Sequence, residues 1–268
     1  SGDILAGDSF PTRKLEEWYE QEKEAFYESE GTVSENDLWY TYMRYTNRIL
    51  VFNLVSKKYP MDDGAILFLG TGSGIEADEF YQSHPLWKFT FLESSSSYKS
   101  ILHAKFIKSV VIEAAIEGHI NVDDNSQDII CAFHVLHHIA NVTLVMSELH
   151  RVVKHGGLVI IREPCSSMGD WRFQRSATPN ERGISKKYML KAASSIGFKC
   201  YKQPIPVVLE PINKFLRKIN MLERIPFRVV YIIDRILSLL FSINDQYWRD
   251  TWYKKIGPSS YLYVFQKK

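Results

Sequence analysis

Three closely spaced glycines and one carboxylate are the residues whose types and spacing point most directly to ligand chemistry. Gly70, Gly72 and Gly74 lie in "ILFLGTGSGIEADEF", which runs from an apolar segment into a glycine-rich turn and a helix. Such glycines let the backbone turn sharply and let a ligand approach closely. Glu93 closes the next apolar segment, "FTFLE", and a carboxylate at a strand end accepts both hydroxyls of a ribose. Together they favour a nucleoside-containing cofactor. The alternatives are a tight turn without a ligand and a Glu93 that caps the following helix.

The glycine spacing argues against two common phosphate-binding motifs. A dinucleotide-binding turn has the pattern G-x-G-x-x-G, and Ile75 stands where the third glycine would be. A P-loop requires Gly-Lys-Ser/Thr, which is absent here. A nicotinamide-dependent oxidoreductase is therefore the least favoured class of enzyme.

Three histidines, His134, His137 and His138, are candidates for acid–base chemistry. Imidazole titrates near neutrality, which suits a base for an alcohol or phenol. His134 ends an apolar segment and is predicted to face the cofactor, and His134 and His138 are the candidate catalytic histidines. The alternative for His137 and His138 is a structural role. No carboxylate or cysteine stands at ligand spacing, so no metal site is predicted.

The segment "REPCSSMGDWRFQRSATPNERGI" mixes an aromatic ring with charged groups. Asp170 is a candidate catalytic base, and Trp171, Arg172 and Arg182 are candidate contacts of an acceptor with a ring or an acidic group. Tyr42, from the aromatic-rich N-terminal helices, is a further candidate acceptor contact. The alternatives are a solvated surface loop and ordinary core packing.

Alternating strands and helices must position these groups, and the pattern favours a parallel sheet with both faces covered. The last two strands are expected to form an antiparallel pair. Ser185 is predicted to cap the N-terminus of a helix that Gly197 ends, and the glycines of "KHGG" are predicted to end the preceding helix in a left-handed cap. The predicted strands cover residues 65–70, 88–94, 109–115, 126–135, 158–164, 198–209 and 259–268.

The motifs "ILFLGTGSG", "FLES" and "NSQDIICAFHVLHHIANVTLVMSELHRVVKHGGLVIIREP" together resemble the class I S-adenosylmethionine-dependent methyltransferases, in particular the type 11 group with Leu-His-His. The resemblance spans about residues 60–200. It implies an α/β fold with a Rossmann-like, seven-stranded, mostly parallel sheet and an antiparallel last strand. Residues 1–59 would form an N-terminal helical lid and 60–268 the methyltransferase core, with a helical insertion at about 211–255.

The resemblance also implies S-adenosyl-L-methionine as cofactor and S-adenosyl-L-homocysteine as product. This sequence departs from the family at Phe68, where an acid is usual, and at Ala114, where an Asp is usual. The residues that the resemblance assigns to the cofactor are Gly70, Thr71, Gly72, Gly74, Glu93, Ser94, Ala115, Ile116 and His134.

Composition limits the partners. The chain has 268 residues and a net charge of +2, so no nucleic-acid partner is expected. Three separated cysteines fit a reduced compartment, and "SGDILAGDSF" lacks the apolar core of a secretion signal. A cytoplasmic monomer or homodimer is expected.

The segment "IPFRVVYIIDRILSLLFSI" contains Arg228, Asp234 and Arg235, which make it a poor transmembrane span. The helical insertion at about 211–255 is expected to pack on its own domain; the alternatives are a cover over the cleft, a dimer contact or a membrane-surface contact.

The predicted reaction is methyl transfer from S-adenosylmethionine to a small-molecule acceptor. An oxygen of a sugar or sugar-like compound, or of another natural product, is the favoured acceptor atom. The competing hypothesis, motivated by Phe68 and Ala114, is a non-catalytic cofactor-binding or interaction protein on the same fold.

Overall fold

Helices form the N-terminal segment of the computed structural model, which describes residues 5–29, 38–59, 63–167, 180, 182–208, 216, 218–219 and 225–268. These elements are α1 (Thr12–Ser29), α2 (Leu38–Asn47), a π-helical turn (Arg48–Phe52) and α3 (Asn53–Lys58). The helical character expected before residue 59 is present, and the role of these helices as a lid stays a prediction.

A seven-stranded sheet follows, with the strand order β3-β2-β1-β4-β5-β7-β6. Strands β1 to β5 pair in parallel, whereas β7 is antiparallel to both β5 and β6. The predicted fold class is confirmed. The predicted antiparallel pair is also present, with β6 at the sheet edge and β7 between β6 and β5. The strands are β1 (Ala65–Leu69), β2 (Lys88–Leu92), β3 (Val110–Ile112), β4 (Gln127–Phe133), β5 (Val153–Pro164), β6 (Phe198–Val208) and β7 (Ser260–Lys267).

The strands are apolar on both faces because helices cover each side of the sheet. One core includes α6 and α7 side chains, for example Met146 and Met189, and the other includes Val55 of α3 and Phe80 of α4. The helices are α4 (Asp78–Ser83), α5 (Ser96–Lys105), α6 (Val142–Val152), α7 (Lys186–Ile196) and α8 (Phe227–Leu240). Within the described part of the chain, no helix has the length and apolar content needed to cross a bilayer.

The helix ends test three local predictions. The Ser185 side chain accepts a hydrogen bond from the Tyr188 N–H at 3.1 Å, and Gly197 ends α7 with a left-handed φ of 107°, so both caps are confirmed. The prediction for "KHGG" is wrong. Helix α6 ends at Val152, and Val153 is already extended because it pairs with Gln127 of β4. Gly156, with φ 77°, therefore lies within β5.

Candidate active site

The glycine-rich turn links β1 to the short helix α4, and its three glycines all have positive φ. A Cβ on Gly70 would lie 2.3 Å from Val135 Cγ2, and one on Gly74 would lie 2.4 Å from the Phe106 ring. Close packing thus requires glycine at both positions. A Cβ on Gly72 would meet only the Tyr98 ring, at 3.8 Å. Gly72 therefore leaves room on its side of the turn for a ligand to approach the backbone.

Glu93 follows β2, and its buried carboxylate is tied to this turn. Its Oε2 accepts a hydrogen bond from the Gly72 N–H at 2.9 Å. Its Oε1 accepts from the N–H groups of Ser94 and Ser95 at 3.0 and 3.1 Å. Burial raises the pKa of Glu93, and these N–H donors oppose the rise. Ser95 is the N-cap of α5, so Glu93 is not needed for that role and its carboxylate remains beside the turn.

This arrangement fits the nucleoside part of S-adenosylmethionine. The open backbone at Gly72 lies next to a strand-end carboxylate, as ribose binding requires. The loop after β3 lies beside Glu93, whose N–H donates to Ile112 O at 3.0 Å. Ala115 and Ile116 are exposed on that loop, as is Ser94 beside it, and Thr71 is half-buried. Their predicted contacts with the cofactor stay predictions.

We expect Glu93→Ala to weaken S-adenosylhomocysteine binding by about 1.5–3 kcal/mol, the usual range for hydrogen bonds to a charged group. Calorimetric titration of the folded variant measures this. Glu113→Ala is the matched control, because Glu113 lies just after β3 and its side chain is 73% exposed and paired with Lys99. Equal affinities of the two variants would remove Glu93 from the cofactor site.

Glu163, near the end of β5, organises the loop that follows β4. Its carboxylate is fully buried. One oxygen accepts from the N–H groups of Val135 and Leu136 at 2.9 and 2.7 Å, and the other lies 2.6 Å from His137 Nδ1. A single carboxylate from the neighbouring strand therefore fixes three consecutive residues of this loop. Sequence analysis did not identify Glu163 as a site residue.

Arg182 holds the same loop from the other side. Its guanidinium is fully buried and donates to the backbone carbonyls of His137, Ile139 and Ala140 at 2.9, 2.8 and 3.1 Å. It also lies 4.9 Å from the centre of the Trp18 ring. The predicted acceptor contact of Arg182 is not supported by this position, because its two terminal nitrogens donate to backbone carbonyls of the loop.

His138 is fixed by helix α1. Its Nδ1 lies 2.9 Å from Glu22 Oε2, and its carbonyl accepts from the Trp18 indole at 2.8 Å. These contacts favour the structural alternative for His138 over the predicted catalytic role.

His134 is the loop residue in the least common conformation. Its φ is 54°, and such strain in a residue other than glycine concentrates at functional sites. Its N–H donates to Arg162 O at 2.8 Å. Burial, with the nearby charge of Arg162, lowers the pKa of His134 to about 3. The imidazole is therefore neutral and weakly basic, and the expectation that it titrates near neutrality as a base does not hold in this structure.

The remaining predicted acceptor groups are not brought together here. Tyr42 is fully buried, and its hydroxyl donates to Asp234 of α8 at 2.8 Å, which makes it a packing residue between two helices. Asp170, Trp171 and Arg172 lie outside the described residues, and their roles stay predictions.

A cleft of about 220 Å³ opens between α2, the π-helical turn and the start of α4. It reaches Phe133 at the end of β4, and Ile75 and Glu76 directly after the glycine turn line it. Ligands of open α/β sheets bind at this carboxyl edge, next to the point where strand order reverses, here between β1 and β4. The side chains around the cleft are Arg44, Asn47, Arg48, Val51, Phe52, Ile75, Glu76, Asp78, Glu79, Phe80 and Phe133.

Glu76 is the group in this cleft with the most altered acidity. Burial raises its pKa to about 7, against the opposing effects of the Arg162 charge and a hydrogen bond from Asn47. The Asn47 Nδ2 donates to Glu76 Oε1 at 2.7 Å, and the Asn47 Oδ1 accepts from the buried Arg162 guanidinium. Asn47 thus bridges a buried cation and the carboxylate. A carboxyl group that titrates near neutral pH in a cleft is a candidate acid–base catalyst.

Sequence analysis missed Glu76, Asn47 and Arg162 as site residues. Glu76 lies two residues after Gly74, so its proximity to the turn was visible in the sequence. The bridge was not visible, because it joins residues from α2, the glycine turn and β5.

Comparisons with known proteins agree with this fold. Residues 67–161 match the family model described as a methyltransferase domain. A search of curated proteins gave no match.

Several solved structures are similar to this chain. A proposed sarcosine dimethylglycine methyltransferase from Galdieria sulphuraria has a TM-score of 0.59 at 16% identity, over 84% of this chain and 86% of that one. The (4+2)-cyclase SpnF has a TM-score of 0.57 at 13% identity, over 100% of this chain and 98% of that one. Geranyl diphosphate C-methyltransferase from Streptomyces coelicolor A3(2) has a TM-score of 0.52 at 11% identity, over 77% of this chain and 73% of that one. At these identities the likeness is one of fold.

The sheet order and the matched segment define the class of protein. Residues 67–161 therefore form a methyltransferase domain within a sheet of the class I order, and S-adenosylmethionine is the cofactor that this class of domain implies.

Proposed function

We propose that this methyltransferase acts on a hydroxyl oxygen of a small, polar, sugar-like acceptor, and that Glu76 is the base that accepts the hydroxyl proton. The observation that carries the proposal is the carboxylate of Glu76 in the cleft at the carboxyl edge of the sheet, with a pKa of about 7. A base is most effective when its pKa lies near the working pH. The bound cofactor supplies an electrophilic methyl carbon on a sulfonium.

The lining of the cleft supports an acceptor with both a hydrophobic face and polar groups. Phe52 and Phe133 offer aromatic surface, and Arg44 and Arg48 offer cationic groups. Arg48 already forms an ion pair with Glu79, with its Nε 2.9 Å from Glu79 Oε1. Rings and guanidinium groups together suit a sugar or an acceptor with an acidic substituent.

Two other features assist the proposed reaction. Asn47 directs a donor at Glu76, which orients the carboxylate and favours its charged form. The loop of residues 134–141 is fixed by Glu163 and Arg182, so the wall of the cleft near Phe133 is preorganised.

A second candidate function is cofactor binding without methyl transfer. Phe68, which stands where the family usually has an acid, is 1% exposed and stacks on Phe91 with ring centres 5.8 Å apart. The cyclase SpnF, similar over the whole chain, is named for a reaction other than methyl transfer. Binding of S-adenosylmethionine without methyl incorporation into any acceptor would favour this candidate.

We expect kcat with a sugar-like acceptor to rise about tenfold per pH unit below pH ~7 and to level off above it, because only the ionised Glu76 accepts a proton. The experiment is a screen of hydroxylated acceptors with methyl-labelled S-adenosylmethionine, followed by a pH–rate profile of the best one. His134 adds no step to this profile near neutrality, since its pKa is about 3. A base of this pKa titrates between pH ~5 and ~9, so a profile that is flat over this range would contradict the role of Glu76.

A further inference from the structure

Helix α8 exposes a continuous apolar surface to solvent. The residues of this surface recur at helical spacing, so that they share one side of the helix. Ile236 is 54% exposed and Leu240 is 61% exposed, and Ile243, just beyond the helix, is 91% exposed. The exposed apolar face comprises Val229, Ile232, Ile233, Ile236, Leu239, Leu240, Phe241 and Ile243.

The opposite side of α8, which faces the domain, carries polar groups. Asp234 and Ser238 are buried there together with Val230. Asp234 accepts from the Tyr42 hydroxyl at 2.8 Å and from the Ser238 hydroxyl at 3.3 Å. A helix that packs only on its own domain buries its apolar side and exposes its polar side. Helix α8 buries Val230 and packs Phe227 and Tyr231 against α2, but its wider apolar side faces solvent. That side is therefore suited to a partner outside the domain.

Aromatic residues adjoin the end of this helix. Asn244 Nδ2 donates to the carbonyls of Tyr253 and Ile256 at 2.6 and 2.7 Å, which holds the 3-10 turn Tyr253–Lys255 next to Ile243. Trp252 is 75% exposed, and Trp248 and Tyr253 are exposed as well. Exposed Trp and Tyr side chains beside an apolar surface are typical of the level of lipid headgroups.

The charges around this surface favour an anionic partner. The acidic residues between 225 and 255 are Asp234, Asp245 and Asp250. Asp234 is buried, Asp245 pairs with Lys186 at 3.1 Å, and Asp250 pairs with Lys254 at 2.8 Å. Arg228 and Lys255 are exposed at the two ends of the segment. Within residues 225–255, the charge that is neither buried nor paired with an opposite charge is therefore positive.

We propose that α8 and the adjoining aromatic turn dock on an anionic lipid surface, with the axis of the helix in the plane of the membrane. The apolar face enters the boundary between headgroups and acyl chains, while Arg228 and Lys255 lie near lipid phosphates. The buried Asp234–Tyr42 contact links α8 to α2, which also contributes Arg44 and Asn47 to the cleft. Docking would thus place the cleft close to the membrane surface.

Cosedimentation of the full chain with vesicles tests this proposal. We expect the protein to sediment with vesicles of phosphatidylcholine and phosphatidylglycerol in equal parts at low salt, and to bind pure phosphatidylcholine more weakly. Arg228→Ser should weaken binding to the anionic vesicles roughly fivefold. High salt should weaken the binding of the unchanged protein by a similar factor, because it screens the charges. The paired variant Ile232→Glu/Ile236→Glu should weaken it at least about tenfold, because two charges would enter the apolar boundary.

Two further variants separate docking from damage to the fold. Ile243→Glu changes a side chain that is 91% exposed, so it leaves packing intact and should also weaken binding. Ile107→Glu is the matched control, because Ile107 is 84% exposed outside this surface, and it should bind as the unchanged protein does. Circular dichroism and calorimetric titration of S-adenosylhomocysteine confirm the fold of each variant, independently of methyl transfer.

The proposal is overturned if the unchanged protein does not sediment with anionic vesicles, or if Ile232→Glu/Ile236→Glu and Ile243→Glu bind them as well as Ile107→Glu does. It is also overturned if light scattering shows a dimer that these variants dissociate while no vesicle binding occurs. In that case a second copy of this chain is the occupant of the surface.

Discussion

Glu76→Gln is expected to lower kcat by about 10²–10⁴-fold while the affinity for S-adenosylhomocysteine stays within about threefold. A positioned base contributes this much to a proton-transfer step. Glutamine keeps the size of the side chain and an oxygen that accepts from Asn47, but it accepts no proton from the acceptor. Steady-state kinetics with the best acceptor from the screen measure the effect.

The matched control is Glu79→Gln, which removes an equal charge from the same cleft. Glu79 pairs with the exposed Arg48 at the rim and lacks the buried bridge of Glu76. Its substitution should change kcat by less than about threefold, as expected for an exposed ion pair. Equal losses in the two variants would show that the cleft needs negative charge rather than a base at Glu76.

The raised pKa of Glu76 can also be tested without an acceptor, through the pH dependence of the unfolding free energy. Its folded pKa of about 7 is raised above the ordinary value of 4.5, so the folded state holds the proton more tightly than the unfolded state. The stabilisation is fully present below about pH 4.5 and is lost as the pH rises through about 7. Glu76→Gln should remove this part of the pH dependence of the unfolding free energy, roughly 1–3 kcal/mol. Identical pH dependence in the two proteins would contradict the raised pKa.

Glu163→Ala is expected to lower the free energy of unfolding by about 3–5 kcal/mol, the effect of removing one partner from a buried charged network. Its carboxylate accepts from two backbone N–H groups and contacts His137, and all three would be left without this partner in the interior. The loop of residues 134–136 would then lose its fixed position, and S-adenosylhomocysteine binding should weaken with it. Urea unfolding and calorimetry measure the two effects.

Glu17→Ala is the control for this substitution. Glu17 pairs with Arg13 on the surface of α1, where its side chain is 57% exposed, and its loss should cost less than about 1 kcal/mol. A loss for Glu163→Ala as small as that for Glu17→Ala would mean that Arg182 and helix α1 hold the loop without Glu163.

The sequence by itself determined the architecture. Apolar strands that alternate with helices specify a parallel sheet because both faces must be covered, and the glycine spacing specifies the turn because Gly70 and Gly74 have no room for a Cβ. Local signals also fixed the caps at Ser185 and Gly197. The local signal failed at "KHGG", where Val153 joined the sheet by pairing with Gln127, a contact that depends on a neighbouring strand.

Tertiary structure decided the chemistry of the cleft. Residue type suggested His134 as a base, but burial beside Arg162 lowers its pKa to about 3. Burial also raises the pKa of Glu76 to about 7, which its place two residues after Gly74 did not predict. Arg182 looked like an acceptor contact and instead binds the carbonyls of the loop. The reason is common to all three: acidity and hydrogen bonding depend on groups that α2, β4 and β5 bring within a few ångströms, and distance along the chain does not report that proximity.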